Sequence, residues 1–248
     1  MSTLPDADRP GRLYGFWASL GWGVIALGAW LGAQVGIGDF LSEWFDADAS
    51  DPASLASNAP FVALITIGSA AVPLAVIAAA IRIRRCGVVE YLRLVPPASW
   101  YVVAGVVALA VLIPVVDAIS WFAGRAVTPQ FVLGLYSSAR DSGALLLLAL
   151  ALVVAAPVVE ETIFRGFLLP GFAASPLGEW GALLATSLLW ALLHAQYQPF
   201  YLAQIVVLGV LFGWLRLRSG STLLTIGLHA VVNLVSLLQA AVIVEWLQ

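Results

Sequence analysis

Apolar residues run in long unbroken blocks along this chain, and polar residues gather in the short gaps between them. The blocks cover 13–36, 60–81, 100–122, 143–169, 180–197, 200–215 and 221–248. None alternates with a period of two, so they read as helices and not as barrel strands. Most match the roughly 20 residues that a helix needs to cross the bilayer core. The last block is long enough for one helix or two short ones. The pattern predicts an all-α, polytopic integral membrane bundle of about seven or eight transmembrane helices. It divides into a polar segment 1–12, three N-terminal spans over 13–142 and a core over 143–248. The first apolar block exceeds a signal-peptide core of roughly 7–15 residues and reads as a retained span.

Composition agrees with this pattern: 62% of the 248 residues are apolar and 10% are charged. A soluble domain is nearer 45–50% and 25%. The net charge of −3 is spread over the connections and points to no nucleic acid partner. The partner that this composition implies is the lipid bilayer. All eleven basic residues are arginine. With the N-terminus inside, eight of them lie on cytoplasmic connections (Arg9, Arg12, Arg82, Arg84, Arg85, Arg93, Arg216 and Arg218), as the positive-inside rule asks. Asp39, Glu43, Asp46, Asp48 and Asp51 then fall outside. The chain reads as a multi-pass protein of the cell membrane with a cytoplasmic N-terminus. Gly28, Gly32 and Gly36, and again Gly209 and Gly213, are spaced for close helix contact. Cys86 is the single cysteine and lies in a basic connection, where it reads as inert.

Ionisable groups within spans are expensive and mark functional sites. Glu160, Glu161 and Arg165 fall in the fourth block, and both histidines of the chain, His194 and His229, fall in later ones. Asp117 is the one charge in the third block and reads as a pairing or snorkelling group. Residues four apart share a helix face, so Glu161 pairs with Arg165, and His229 points the same way as Asn233. Glu160 lies about 100° round the helix from Glu161 and is free for chemistry; alternatively the two carboxylates share a proton. Counting helical rise puts Glu160, His194, His229 and Asn233 at mid-membrane to cytoplasmic depth, where one chamber open to the cytoplasm holds them.

Two chemistries suit this set. In one, Glu160 is a general base toward water, His194 helps hold that water, and His229 and Asn233 stabilise an oxyanion. In the other, Glu160, His194 and His229 bind a zinc ion that activates the water. A non-catalytic scaffold or immunity protein and a small transporter are readings from other classes. The chain lacks the internal repeat that transporters show.

Glu160-Glu161-x-x-x-Arg165, an aromatic four before His194, and His229-x-x-x-Asn233 together resemble the motifs of the CAAX-prenyl-protease and bacteriocin-processing family of intramembrane proteases, also called the Abi or type II CAAX endopeptidase family. The resemblance covers about 144–236; the first 140 residues carry no signature. It implies an eight-helix-like bundle with a cytosol-facing cavity, and endopeptidase activity near the C-terminus of a membrane-bound substrate. It implies water activation by Glu160 and His194, an oxyanion site of His229 and Asn233, and a metal-free mechanism. Trp190 stands where phenylalanine is usual, a change of pocket shape and not of chemistry.

Overall fold

The structure is a computed structural model that describes residues 13–45, 55 and 57–247. The polar segment 1–12, with Arg9 and Arg12, and Asp46, Asp48 and Asp51 lie outside the described residues. Helices are α1 (Phe16–Ser42), α2 (Ala59–Ile83), α3 (Val88–Leu92), α4 (Ser99–Phe122), α5 (Gln130–Asp141), α6 (Leu145–Ala173), α7 (Gly178–Leu192), α8 (Pro199–Ser219) and α9 (Thr222–Leu247). Among the described residues, α1, α2, α4, α6, α8 and α9 are long and apolar enough to cross a membrane. α7, at 15 residues, is shorter than these six. The protein is thus an all-α multi-pass membrane protein, and the C-terminal apolar block is one continuous helix.

Local sequence sets several of these boundaries. Asn58 caps α2 by accepting a hydrogen bond from the Phe61 amide at 3.1 Å, and Pro60 follows in the first turn, where its missing N–H costs nothing. Gly220 ends α8 at φ +66°, a left-handed conformation that glycine adopts without a Cβ clash. Ser221 then caps α9 through the Leu224 amide at 3.2 Å. On the arginine-rich end this α8–α9 turn is latched to α3. Thr222 donates its amide to Arg93 O at 3.0 Å and its hydroxyl to Leu92 O at 2.5 Å, while Arg93 Nε donates to Gly220 O at 3.1 Å.

α6 is the central element, and every residue from Thr162 to Leu169 is buried. In lipid the apolar effect does not drive helices together, so close packing and small residues must. Gly209 and Gly213 do this between α7 and α8: a Cβ on Gly209 would stand 2.7 Å from the Ser187 Cβ, and one on Gly213 would stand 2.6 Å from the Leu183 Cδ2. Gly28, Gly32 and Gly36 do not. A Cβ on any of them would meet nothing within 4 Å, so that face of α1 points away from the bundle. Val103, Val107 and Val111 on α4 likewise face outward, as hydrocarbon requires.

Two features of the fold were not expected. The segment 124–142, read as a loop, contains α5, whose Val132, Leu135 and Ala139 are buried against the bundle. α7 spans only about 22 Å, less than the roughly 30 Å hydrocarbon core. The irregular turn 193–198 follows it. Non-helical backbone at membrane depth is tolerated where it lines a cavity, and this turn does.

Candidate active site

Glu160 and Glu161 occupy a short α-helical stretch, Ala156–Glu161, between two π-helical stretches of α6, Leu150–Ala155 and Thr162–Leu168. Wide π turns often mark functional sites, and here one has a specific consequence. The Ala156 amide reaches back to Ala151 O, which leaves Leu152 O to the next donor. That residue is Pro157, which has no N–H. Asn233 fills the gap, its Nδ2 donating to Leu152 O at 2.6 Å. Asn233 is thereby fixed in orientation, with the second N–H of its amide still to spend.

Glu161 is fully buried. Its Oε1 accepts from Arg165 Nη1 at 2.9 Å and from His229 Nδ1 at 3.0 Å. The four-residue spacing thus pairs Glu161 with Arg165 and also anchors His229 from α9. The buried guanidinium is satisfied further by Gly209 O at 3.3 Å from Nη2 and by the Trp190 ring, whose centroid lies 4.2 Å from Cζ. The open approach that Gly209 gives α8 is what brings its carbonyl within reach.

Glu160 points elsewhere, toward Trp190. Trp190 Nε1 donates to Glu160 Oε2 at 2.5 Å. The indole is packed edge-on between the two histidine rings, with centroids 5.4 Å from His194 and 5.2 Å from His229. This corrects the expectation that tryptophan in place of phenylalanine alters only shape. Phenylalanine has no N–H, so the substitution adds a charge-assisted donor to the candidate base. His194 sits two residues past the end of α7 and not within a helix. Its Nδ1 lies 3.0 Å from Trp190 O, and since a carbonyl only accepts, Nδ1 carries the proton. Nε2, which presents a lone pair whenever the ring is neutral, lies 4.0 Å from Glu160 Oε2.

Glu160, His194, His229 and Asn233 all border one cavity, with Tyr197 in its wall and further lining from Gln34 of α1, Thr66 of α2 and Phe131 of α5. A second cavity, lined by Trp190, Asp117 of α4 and Gln239 of α9, shares His194, Tyr197, His229 and Asn233 with the first, and the two adjoin as one chamber. Gln34, Thr66, Asp117, Phe131 and Gln239 all lie toward the end of the bundle away from Arg82, Arg84, Arg93 and Arg218. The chamber therefore extends from the site toward the arginine-poor end. Two expectations, an arginine-rich cytoplasmic end and a cytosol-facing chamber, are incompatible in this chain. Asp117 does pair, but within the chamber wall, where its Oδ2 accepts from Gln239 Nε2 at 2.7 Å. Among the described residues no three His, Cys, Asp or Glu side chains converge closely enough to hold a metal ion.

The comparisons with known proteins fall on this same region. Residues 142–235 match the family model described as Type II CAAX prenyl endopeptidase Rce1-like. A protein of Escherichia coli described as an uncharacterized 24.3 kDa protein is 38% identical over 86 residues, which is 34% of this chain. The match spans 40% of that protein's length. No solved structure matches the chain. Both glutamates, both histidines and Asn233 lie inside the matched stretch 142–235, which is similar to the Rce1-like type II CAAX prenyl endopeptidase family.

Proposed function

We propose that this protein is an intramembrane endopeptidase that hydrolyses a peptide bond of a membrane-associated protein or peptide with a glutamate-activated water. The observation that carries the reading is the 4.0 Å gap between Glu160 Oε2 and His194 Nε2. It is too long for a direct hydrogen bond and short enough for one water to touch both. Both atoms are acceptors, so such a water donates both hydrogens and turns a lone pair toward the chamber. Glu160 takes one proton as the oxygen adds to the substrate carbonyl carbon. The same proton then passes to the leaving amide nitrogen as the C–N bond breaks.

The negative oxygen of the tetrahedral intermediate falls to His229 and Asn233. Asn233 offers its second N–H. His229 already donates from Nδ1 to Glu161, so donation from Nε2 requires a ring with both protons. In the zinc reading Glu160, His194 and His229 would hold the ion; the engagement of His229 Nδ1 with Glu161 at 3.0 Å favours the metal-free reading. Loss of cleavage on chelation, restored by zinc, would reverse this assignment.

The arginine distribution supports a cytoplasmic arginine-rich end, so the substrate enters from the opposite face or from the outer half of the bilayer. Comparative membrane proteomics of wild-type and Glu160→Gln cells tests both points. The variant is expected to accumulate one or more precursors whose cut bonds lie in the outer half of the membrane. Identical proteomes would favour a scaffold, and bonds cut on the cytoplasmic side would invert the topology.

Trp190 supplies a further test. Trp190→Phe keeps the aromatic contacts with Arg165 and both histidines and removes only the N–H. A hydrogen bond to a charged group is worth about 1.5–3 kcal/mol, and about 1.4 kcal/mol is a tenfold change in rate. The variant is expected to lose about tenfold in kcat with KM nearly unchanged, measured on a reconstituted substrate. An unchanged kcat would show that the bond is idle in turnover.

A further inference from the structure

The reaction described above uses one end of the chamber and leaves the other unexplained. At that far end, α4 places the Asp117 carboxylate in the wall beside Gln204 and Tyr201 of α8 and Gln239 of α9. Gln239 Nε2 holds Oδ2 at 2.7 Å, and Gln204 Nε2 is held in turn by Ser120 Oγ at 3.1 Å. Among the described residues Asp117 forms no ion pair with an arginine or a histidine. A carboxylate within a span normally finds a cation or faces water; this one is half-buried, is held by a neutral amide, and has Ile113, Val116 and Ile205 in the wall around it. The wall is built to fix the carboxylate's direction without neutralising its charge.

The distance from the site is informative. Gln239 follows Asn233 by six residues on α9, about 9 Å of helical rise. An extended peptide advances about 3.3 Å per residue. A chain with its scissile carbonyl at His229 and Asn233 therefore brings a side chain to Asp117 about two or three residues further on.

We infer that Asp117, aligned by Gln239, forms a cation-accepting subsite that takes the lysine or arginine side chain of the substrate two or three residues from the scissile bond, on the side facing the arginine-poor end. The subsite rests on the endopeptidase reading for its register but not for its charge preference. It gives the enzyme a reason to select among apolar segments: it takes one whose basic residue lies just beyond the cleaved bond.

The test uses full-length protein with Glu160→Gln in phosphatidylcholine vesicles, whose headgroups carry no net charge. The probes are labelled peptides, each an apolar transmembrane segment with one lysine walked along its flanking residues, and matching peptides with norleucine or glutamate there. Lysine at one or two adjacent positions is expected to tighten binding about tenfold over norleucine, the scale of one partly desolvated charge pair. Asp117→Asn should erase that preference while leaving norleucine peptides bound as before. Asp117→Lys should transfer the preference to glutamate, which a merely structural role would not do. No lysine preference at any position, no binding of any peptide, or a preference that survives Asp117→Asn overturns the inference. The same peptides are then offered to protein with Glu160 intact. Cleavage without charge preference sinks the subsite and leaves the protease reading standing; preference without cleavage does the reverse.

Discussion

Glu160→Gln is expected to lower the turnover of a membrane-embedded substrate by about a thousandfold, within the 10²–10⁴ that a positioned general base contributes. The substitution keeps the shape of the side chain and its oxygen, so Trp190 Nε1 retains an acceptor. It removes the one function proposed for this residue, which is to take a proton from a water shared with His194. Glu161 and Arg165 keep their 2.9 Å pair and the His229 anchor. The fold should therefore survive, and thermal unfolding in detergent should match that of the unaltered protein. KM should change little, because the substrate's contacts with His229, Asn233 and the chamber remain. Single-turnover cleavage of a fluorogenic transmembrane peptide in vesicles measures the loss. A variant within about threefold of the wild-type rate, far inside that general-base range, would remove Glu160 from the role of base.

The pairing of Glu161 with Arg165 was legible from spacing alone. One helical turn separates Glu161 from Arg165, and a partner that close is the least costly way to hold both at membrane depth. Two other parts of the site were not legible, and the reasons are physical. The bond from Trp190 to Glu160 joins helices 30 residues apart in sequence. Reading tryptophan as an aromatic like phenylalanine discards its N–H, the atom that matters. The capture of Leu152 O by Asn233 depends on a π turn meeting a proline, and no hydrophobic period reports a π turn. α5 is a different case. Val132, Leu135 and Ala139 recur at helical spacing, and the signal was present but outweighed by the flanking Gly124, Pro129 and Gly143.

Glycine spacing shows how little a motif says without its neighbours. Both the series on α1 and the pair on α8 satisfy the small-residue pattern, yet only Gly209 and Gly213 meet another helix. The difference lies in what faces them. Ser187 is small enough to admit the α8 backbone, and the close approach gives Arg165 a carbonyl to bond. The depth arithmetic located the four site residues along their helices, but it carried no information on the rest of the lining, and Gln34, Thr66, Asp117 and Gln239 lie toward the arginine-poor end.

Removing the Glu161 carboxylate should cost the protein its fold and not its rate alone. The side chain is fully buried, and its Oε1 receives both Arg165 and His229. Glu161→Ala leaves a guanidinium that is 1% exposed with no counter-charge in its own turn. Breaking one partner of a buried pair costs about 3–5 kcal/mol, a large share of the 5–15 kcal/mol that typically holds a domain together. The expected result is a fall in midpoint temperature of about 6–20 °C, at roughly 2–4 °C per kcal/mol for a chain of this size, or no monodisperse protein at all. Glu161→Leu with Arg165→Met separates charge from shape, because replacing both members of a buried pair with apolar groups is often neutral or stabilising. That double variant should recover most of the midpoint. It should not recover cleavage, since His229 would have lost the acceptor that orients its ring. A stable Glu161→Ala protein would mean that Arg165 is held by Trp190, Phe212 and Gly209 O without the carboxylate, and Glu161 would then serve the site only through His229.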